Sequence, residues 1–260
     1  MSAGFDTDLV ACADLVRRGD PSRFKATMAA PVAARGVLFP VYAFNLEVAR
    51  APWVTQEPML AEMRLQWWRD VLEQIRGGGG ARRHEVVTPL ARVLDAEMTE
   101  LLDELIAARR WDTERAPFDS DEDFARYIAA TSGNLMRVAA RALGPARDDV
   151  VRDAGFALGI SNWFRAIPAL EAAGCRPLPD GRPAAVRAWA EEGLRCLARA
   201  RAHRAGVSRA AMPAMLPLWE AGHTLRAAER DPGKVGHAAL APAPVLSRAA
   251  LIARAMSGRW

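Results

Sequence analysis

Carboxylates four residues apart can share one helix face and hold a divalent cation, and this sequence has two such spacings, Asp119 with Asp123 and Asp149 with Asp153. Both pairs fall where a helix is expected to begin. Carboxylates there cap free N–H groups and complement the helix dipole, so a structural role is expected of them. Other residue types that do chemistry are sparse. His84, His203, His223 and His237 have no partner at i, i+4, and no Ser-His-Asp arrangement stands out. Gly77 to Gly80 are not followed by the Lys-Ser/Thr that a phosphate-cradling loop requires. Cys12, Cys175 and Cys196 are widely spaced with no C-x-x-C pair, which fits a reducing compartment and argues against a disulfide framework or a zinc site. The stretch with most character runs from Tyr42 to Asp70, reading Y-A-F-N-L-E-V-A-R-A-P-W and then E-M-R-L-Q-W-W-R-D.

The elements that position these residues are helices. Of 260 residues, 51% are apolar and 25% charged, enough for one large core. Alanine, leucine and arginine dominate, β-branched residues are sparse, and no stretch alternates apolar with polar over strand length. The expectation is an all-α protein with a single domain spanning 1–260. Starts and stops are well marked: Asp6 opens a helix that Gly19 ends, Asp20-Pro21 opens a second that Pro31 terminates, and an apolar helix follows from Ala33 to Ala51. Pro52 breaks it, Thr55 caps the next, and a stripe of Met59, Leu60, Met63, Trp67, Val71 and Ile75 is predicted to face the core, with Trp68 on another side. Further helices are predicted from Thr88 to Arg109, from Ser120 or Asp121 to Leu143, from Asp148 or Asp149 to Ala172, from Ala184 to Ala205, from Ser208 to Arg230 and from Val245 to Met256. The glycines Gly77 to Gly80 and the segment Gly174 to Pro183 read as loops.

A net charge of +4 with the basic residues scattered among acids argues against a dedicated nucleic-acid groove. The N-terminus lacks a basic region followed by an apolar run, and no stretch reads as a spanning helix, so the expectation is no transmembrane segment and at most peripheral membrane contact. The last helix joins an apolar face to Arg248 and Arg254; docking onto the body is expected, with a membrane surface as the alternative.

Several of these stretches, in order, resemble squalene and phytoene synthases, the head-to-head prenyl synthases. The run from Tyr42 is similar to that family's first metal-binding helix, Y-A-F-C-R-x-x-D-D-x-x-D. About a hundred residues on, A-G-F-A-L-G-I-S-N-W-F-R-A-I-P-A-L from Ala154 to Leu170 is similar to the second, with Asn162 and Arg165 matching. Further landmarks are D-P-x-R-F at Asp20 to Phe24, Tyr127 to Gly133, L-P-L-W at Leu216 to Trp219 and a C-terminal G-R-W. The resemblance implies an isoprenoid synthase-type bundle of about ten helices around a central cavity between the Ala33 to Ala51 and Asp148 to Ala172 helices.

In the family, spaced aspartates hold the magnesium ions that bind a prenyl diphosphate; here their positions fall on Ala49 and Trp53 in the first motif and Ala166 and Leu170 in the second, the glutamine falls on Gly159 and the first motif's arginine on Leu46. Glu47 and Glu171 lie nearby but point about 160° and about 100° away around their helices. No catalytic residue and no metal ligand is therefore expected. The resemblance places ligand binding at Asn45, Ala49, Trp53, Tyr127, Asn162, Arg165 and Ala166 around an apolar cavity suited to an isoprenoid or lipid. It is strongest to the family's non-catalytic branch that serves respiratory complex I assembly. That implies NADH dehydrogenase subunits or assembly intermediates as partners, in the cytoplasm at the inner membrane face, without a cofactor. The alternatives are an active magnesium-dependent prenyltransferase and an isoprenoid carrier.

Overall fold

The computed structural model describes residues 6–55, 57–78, 82–241 and 244–260, and all regular structure among them is helical apart from one antiparallel bridge between Ala146 and Val207. The order is α1 (Thr7–Gly19), α2 (Pro21–Ala29), α3 (Val32–Arg50), α4 (Pro58–Arg76), α5 (Val87–Ala91), α6 (Ala96–Ala108), α7 (Arg110–Glu114), α8 (Asp121–Ile128), a π turn (Ala129–Gly133), α9 (Asn134–Leu143), α10 (Asp148–Ala172), α11 (Pro183–Ala202), two 3₁₀ segments (Arg204–Gly206 and Met212–Trp219), α12 (Ala221–Arg230), α13 (Gly233–Gly236) and α14 (Pro244–Ser257). Of the expected glycine loop, Gly79 and Gly80 lie outside the described residues.

Local chemistry explains most boundaries. Carboxylates of Asp6, Asp20 and Asp95 accept from the N–H groups of Leu9, Arg23 and Met98, and the Ser120 hydroxyl accepts from Asp123 N–H, so each of these four helices has a side-chain cap. The Asp95 cap also divides the single helix predicted from Thr88 to Arg109 into α5 and α6. The helix predicted from Ser208 becomes a 3₁₀ segment followed by α12, because Pro213 and Pro217 remove the N–H donors that an α-helix would need. The aspartates of the two D-x-x-x-D spacings form few caps. Asp123 pairs with Arg126, Asp149 with Arg147 and Asp153 with Arg199, and α10 begins with no side-chain cap at all.

Helix α10 is buried on nearly every side, and α9, α11, α12 and the π turn pack around it. Its glycines set the closest approach. A Cβ on Gly155 would sit 2.8 Å from Gly133 Cα, and one on Gly159 would sit 2.6 Å from Ile128 Cγ2. Gly155→Ala therefore presses a methyl against backbone that has no rotamer to escape into. The gain in helix propensity, about 1 kcal/mol, is outweighed by an overpacking cost of roughly 1–3 kcal/mol. A lowered midpoint in urea at unchanged slope is the expected result.

Helix α3 is long and apolar enough to cross a membrane by length and composition, contrary to the reading that no stretch qualifies; it is spent instead on the core, with 61% of its apolar window buried. Helix α4 is rotated from its predicted orientation. Ala61, Leu65, Trp68, Val71 and Leu72 are buried, while Met59 and Met63 are 74% and 62% exposed. Trp68 is the more deeply buried of the two and meets Phe44 of α3 edge-to-face at 5.2 Å, while Trp67 is half-buried and packs against the core beside it. Helix α14 docks as expected on α2 and the Met212–Trp219 segment, burying Leu251, while Ile252 and Met256 stay exposed.

Candidate functional site

A cavity of about 270 Å³ lies between α3 and α10 and is closed by α7, α8 and the π turn. Asn45, Ala49 and Trp53 reach it from α3 and the turn behind it, Tyr127 from α8, and Asn162 and Ala166 from α10. Six of the seven predicted ligand-binding residues are thus brought together. Spacing explains this: Asn45 and Ala49, and Asn162 and Ala166, are four apart and share a helix face.

Arg165 is the exception. One residue from Ala166, it points about 100° away around α10 and leaves the cavity. Its guanidinium bonds Glu220 at 3.3 Å on the outer side of the molecule. Glu220 also accepts from Ser22 of α2 and Ser247 of α14, so Arg165 belongs to a clasp that holds the C-terminal helix. Glu47 and Glu171 do not line the cavity either.

The polar side of the cavity joins the predicted Tyr127 to three residues that the sequence did not single out as a site, Arg23, Arg109 and Asp112. Arg109 Nη1 donates to Asp112 Oδ2 at 3.0 Å and to the Tyr127 hydroxyl at 2.7 Å, and that hydroxyl donates to Asp112 Oδ1 at 2.9 Å. Asp112 is 2% exposed. Burial pushes its carboxyl above the ordinary carboxylate range against the opposing pull of Arg109, and burial likewise raises the Tyr127 phenol. Arg23, capped by Asp20 within the D-P-S-R-F landmark, enters beside Asn45 with its guanidinium 5.5 Å from the Tyr42 ring centre. The i, i+3 spacing of Arg109 and Asp112 was the only available signal, and many surface pairs share it.

The apolar side is aromatic. Trp163 packs edge-on against Tyr127 at 5.1 Å and donates its indole N–H to the Pro177 carbonyl, which ties the Gly174 to Pro183 loop to the cavity wall. Trp53, 36% exposed at the mouth, has the Arg115 guanidinium 4.8 Å from its ring centre.

This donor set does not fit magnesium. Ala49, Trp53, Ala166 and Leu170 all line the cavity and carry no ligating oxygen on their side chains. The one carboxylate lining it, Asp112, has both oxygens engaged, and Arg23 and Arg109 add positive charge beside it. Among the described residues, no three His, Cys, Asp or Glu side chains converge to hold a metal ion.

A helical bundle that encloses one cavity between its third and tenth helices is an isoprenoid synthase-type fold. The sequence profile of the squalene/phytoene synthase family matches residues 16–182, and the chain belongs to that family. Its fold is similar to that of a dehydrosqualene synthase crystallised with ligand, at a TM-score of 0.78 over 97% of this chain and 96% of that one, with 13% identity. It is also similar to squalene synthase HpnC from Alicyclobacillus acidocaldarius, at a TM-score of 0.70 over 86% and 93% of the two chains and 18% identity. In sequence it is 29% identical to the Drosophila melanogaster homolog of NADH dehydrogenase (ubiquinone) complex I, assembly factor 6, over 64% of this chain and 53% of that protein. It is 22% identical to the Homo sapiens assembly factor 6 over 60% and 48%. The chain spans about half the length of these curated relatives.

Proposed function

We propose that this chain is a non-catalytic member of its family that assists the assembly of respiratory complex I. The observation that carries this reading is the makeup of the cavity, where the four positions that bear metal-binding aspartates in the resembled synthases are Ala49, Trp53, Ala166 and Leu170. The relatives named as complex I assembly factors supply the direction. The chain works at the cytoplasmic face of an energy-coupling membrane, bound peripherally, with NADH dehydrogenase subunits or assembly intermediates as partners. Its cavity, with aromatic walls and two arginines at one side, accepts the apolar tail of an isoprenoid or lipid or a partner side chain without turning it over.

Deleting the gene in a host that makes NADH dehydrogenase tests this. Assembled NADH dehydrogenase on native gels is expected to fall while carotenoids and hopanoids stay at parental levels. Intact complex with lost isoprenoid products would refute the reading and restore the prenyltransferase.

A further inference from the structure

Away from the cavity, Arg201 of α11, Arg226 of α12 and Arg254 of α14 lie close enough for their charges to act on one another, and no Asp or Glu answers them. Every Asp and Glu of the chain lies among the described residues, and none approaches the guanidinium of Arg201, Arg226 or Arg254 within the 4.0 Å of an ion pair.

Gly222 lies beside two of them. A Cβ there would lie 3.2 Å from Leu197 Cδ2, 3.4 Å from Arg226 Nη2 and 3.6 Å from Arg201 Nη1, so the two guanidiniums meet over the same glycine. Arg201 Nε donates to the Trp260 carbonyl oxygen at 2.9 Å, whereas its Nη2 is buried with no acceptor. Burial, then the charge of Arg254, then that of Arg226 push the Arg201 guanidinium down to about 10, so it remains a cation at neutral pH, held near two others. Burial and the charge of Arg226 likewise lower Arg254. Arg226 is exposed, so the cluster opens to solvent.

We propose that Arg201 and Arg226, which meet beside Gly222, form with Arg254 a binding site for a phosphoryl group. The planar forks of guanidinium match oxygens of a tetrahedral anion. Charge selects the class. Three positive charges with no Asp or Glu side chain among them favour a dianion, such as a phosphate monoester, over a singly charged anion. The buried Nη2 gains an acceptor in the same step, which removes the cost of an unmet donor. The phosphoryl group belongs either to a free phosphate compound or to a phospholipid headgroup.

Calorimetric titration of the full chain with inorganic phosphate, at ionic strength held constant with potassium chloride, tests the site. Saturable binding is expected. Gly222→Ala puts a methyl beside both guanidiniums without changing any charge, and its nearest neighbour, Leu197 Cδ2 at 3.2 Å, is the end of a flexible side chain that can give. Binding is expected to weaken by about tenfold or more in Gly222→Ala and in the Arg226→Gln/Arg254→Gln pair, with unchanged circular dichroism. Co-sedimentation with phosphatidylcholine vesicles, with and without phosphatidic acid, whose headgroup is a phosphate monoester, separates the sources. Vesicle binding that needs phosphatidic acid and is lost in Gly222→Ala assigns a headgroup, and phosphate binding without it assigns a soluble phosphate compound. Phosphate binding that is absent, or indifferent to Gly222→Ala, overturns the proposal.

Discussion

Incubated with farnesyl or geranylgeranyl diphosphate and magnesium, the purified chain is expected to release no measurable diphosphate. Ionising an allylic diphosphate requires cations to neutralise the departing group. If that neutralisation contributes roughly 5 to 8 kcal/mol, its loss slows the reaction on the order of 10³ to 10⁶-fold. The acids nearest the lost positions do not compensate, since neither Glu47 nor Glu171 lines the cavity, and Asp112 is engaged by Arg109 and Tyr127. Arg23 and Arg109 can attract an anionic headgroup, yet two side-chain cations do not replace metal ions bridged by opposed carboxylates. A malachite green assay for released phosphate after pyrophosphatase treatment checks the result. Magnesium-dependent turnover would sink it, and with it the non-catalytic reading.

The second large effect is on stability. Asp112→Asn keeps the shape of the buried side chain while leaving Arg109 without its counter-charge, and removing one partner of a buried pair typically costs about 3–5 kcal/mol. In a chain of this size that corresponds to a fall in Tm of roughly 10 °C, readable by calorimetry. The double change Asp112→Leu with Arg109→Met should recover most of the loss, because it removes both buried charges together. A double variant no more stable than Asp112→Asn would show that the pair itself, rather than the stranded charge, holds this wall.

Much of the architecture was legible because capping is short-range chemistry. Asp6, Asp20 and Ser120 announce their helices through one side-chain acceptor three residues from an N–H donor, and α3, α4 and α10 begin and end within a residue or two of the expected positions. The convergence of Asn45, Ala49, Tyr127, Asn162 and Ala166 was legible from the family resemblance; spacing added only that Asn45 with Ala49, and Asn162 with Ala166, share a helix face. Rotation about a helix axis was not. The apolar stripe of α4 is wide enough to be read two ways, and only the placement of Phe44 and the neighbouring helices turned Trp68 inward and left Met59 and Met63 in solvent.

By itself the sequence determined the helical class, most helix ends, the family, and the absence of ligating oxygens at Ala49, Trp53, Ala166 and Leu170, since each depends on residue identity and local spacing. Only the tertiary structure decided that Arg109, Asp112 and Tyr127 close one side of the cavity, that Arg165 turns away to Glu220, and that Arg201 and Arg226 meet beside Gly222. Those groupings join side chains from different helices. Their distances depend on how whole helices pack, which glycines such as Gly155 and Gly159 set and which no local pattern encodes.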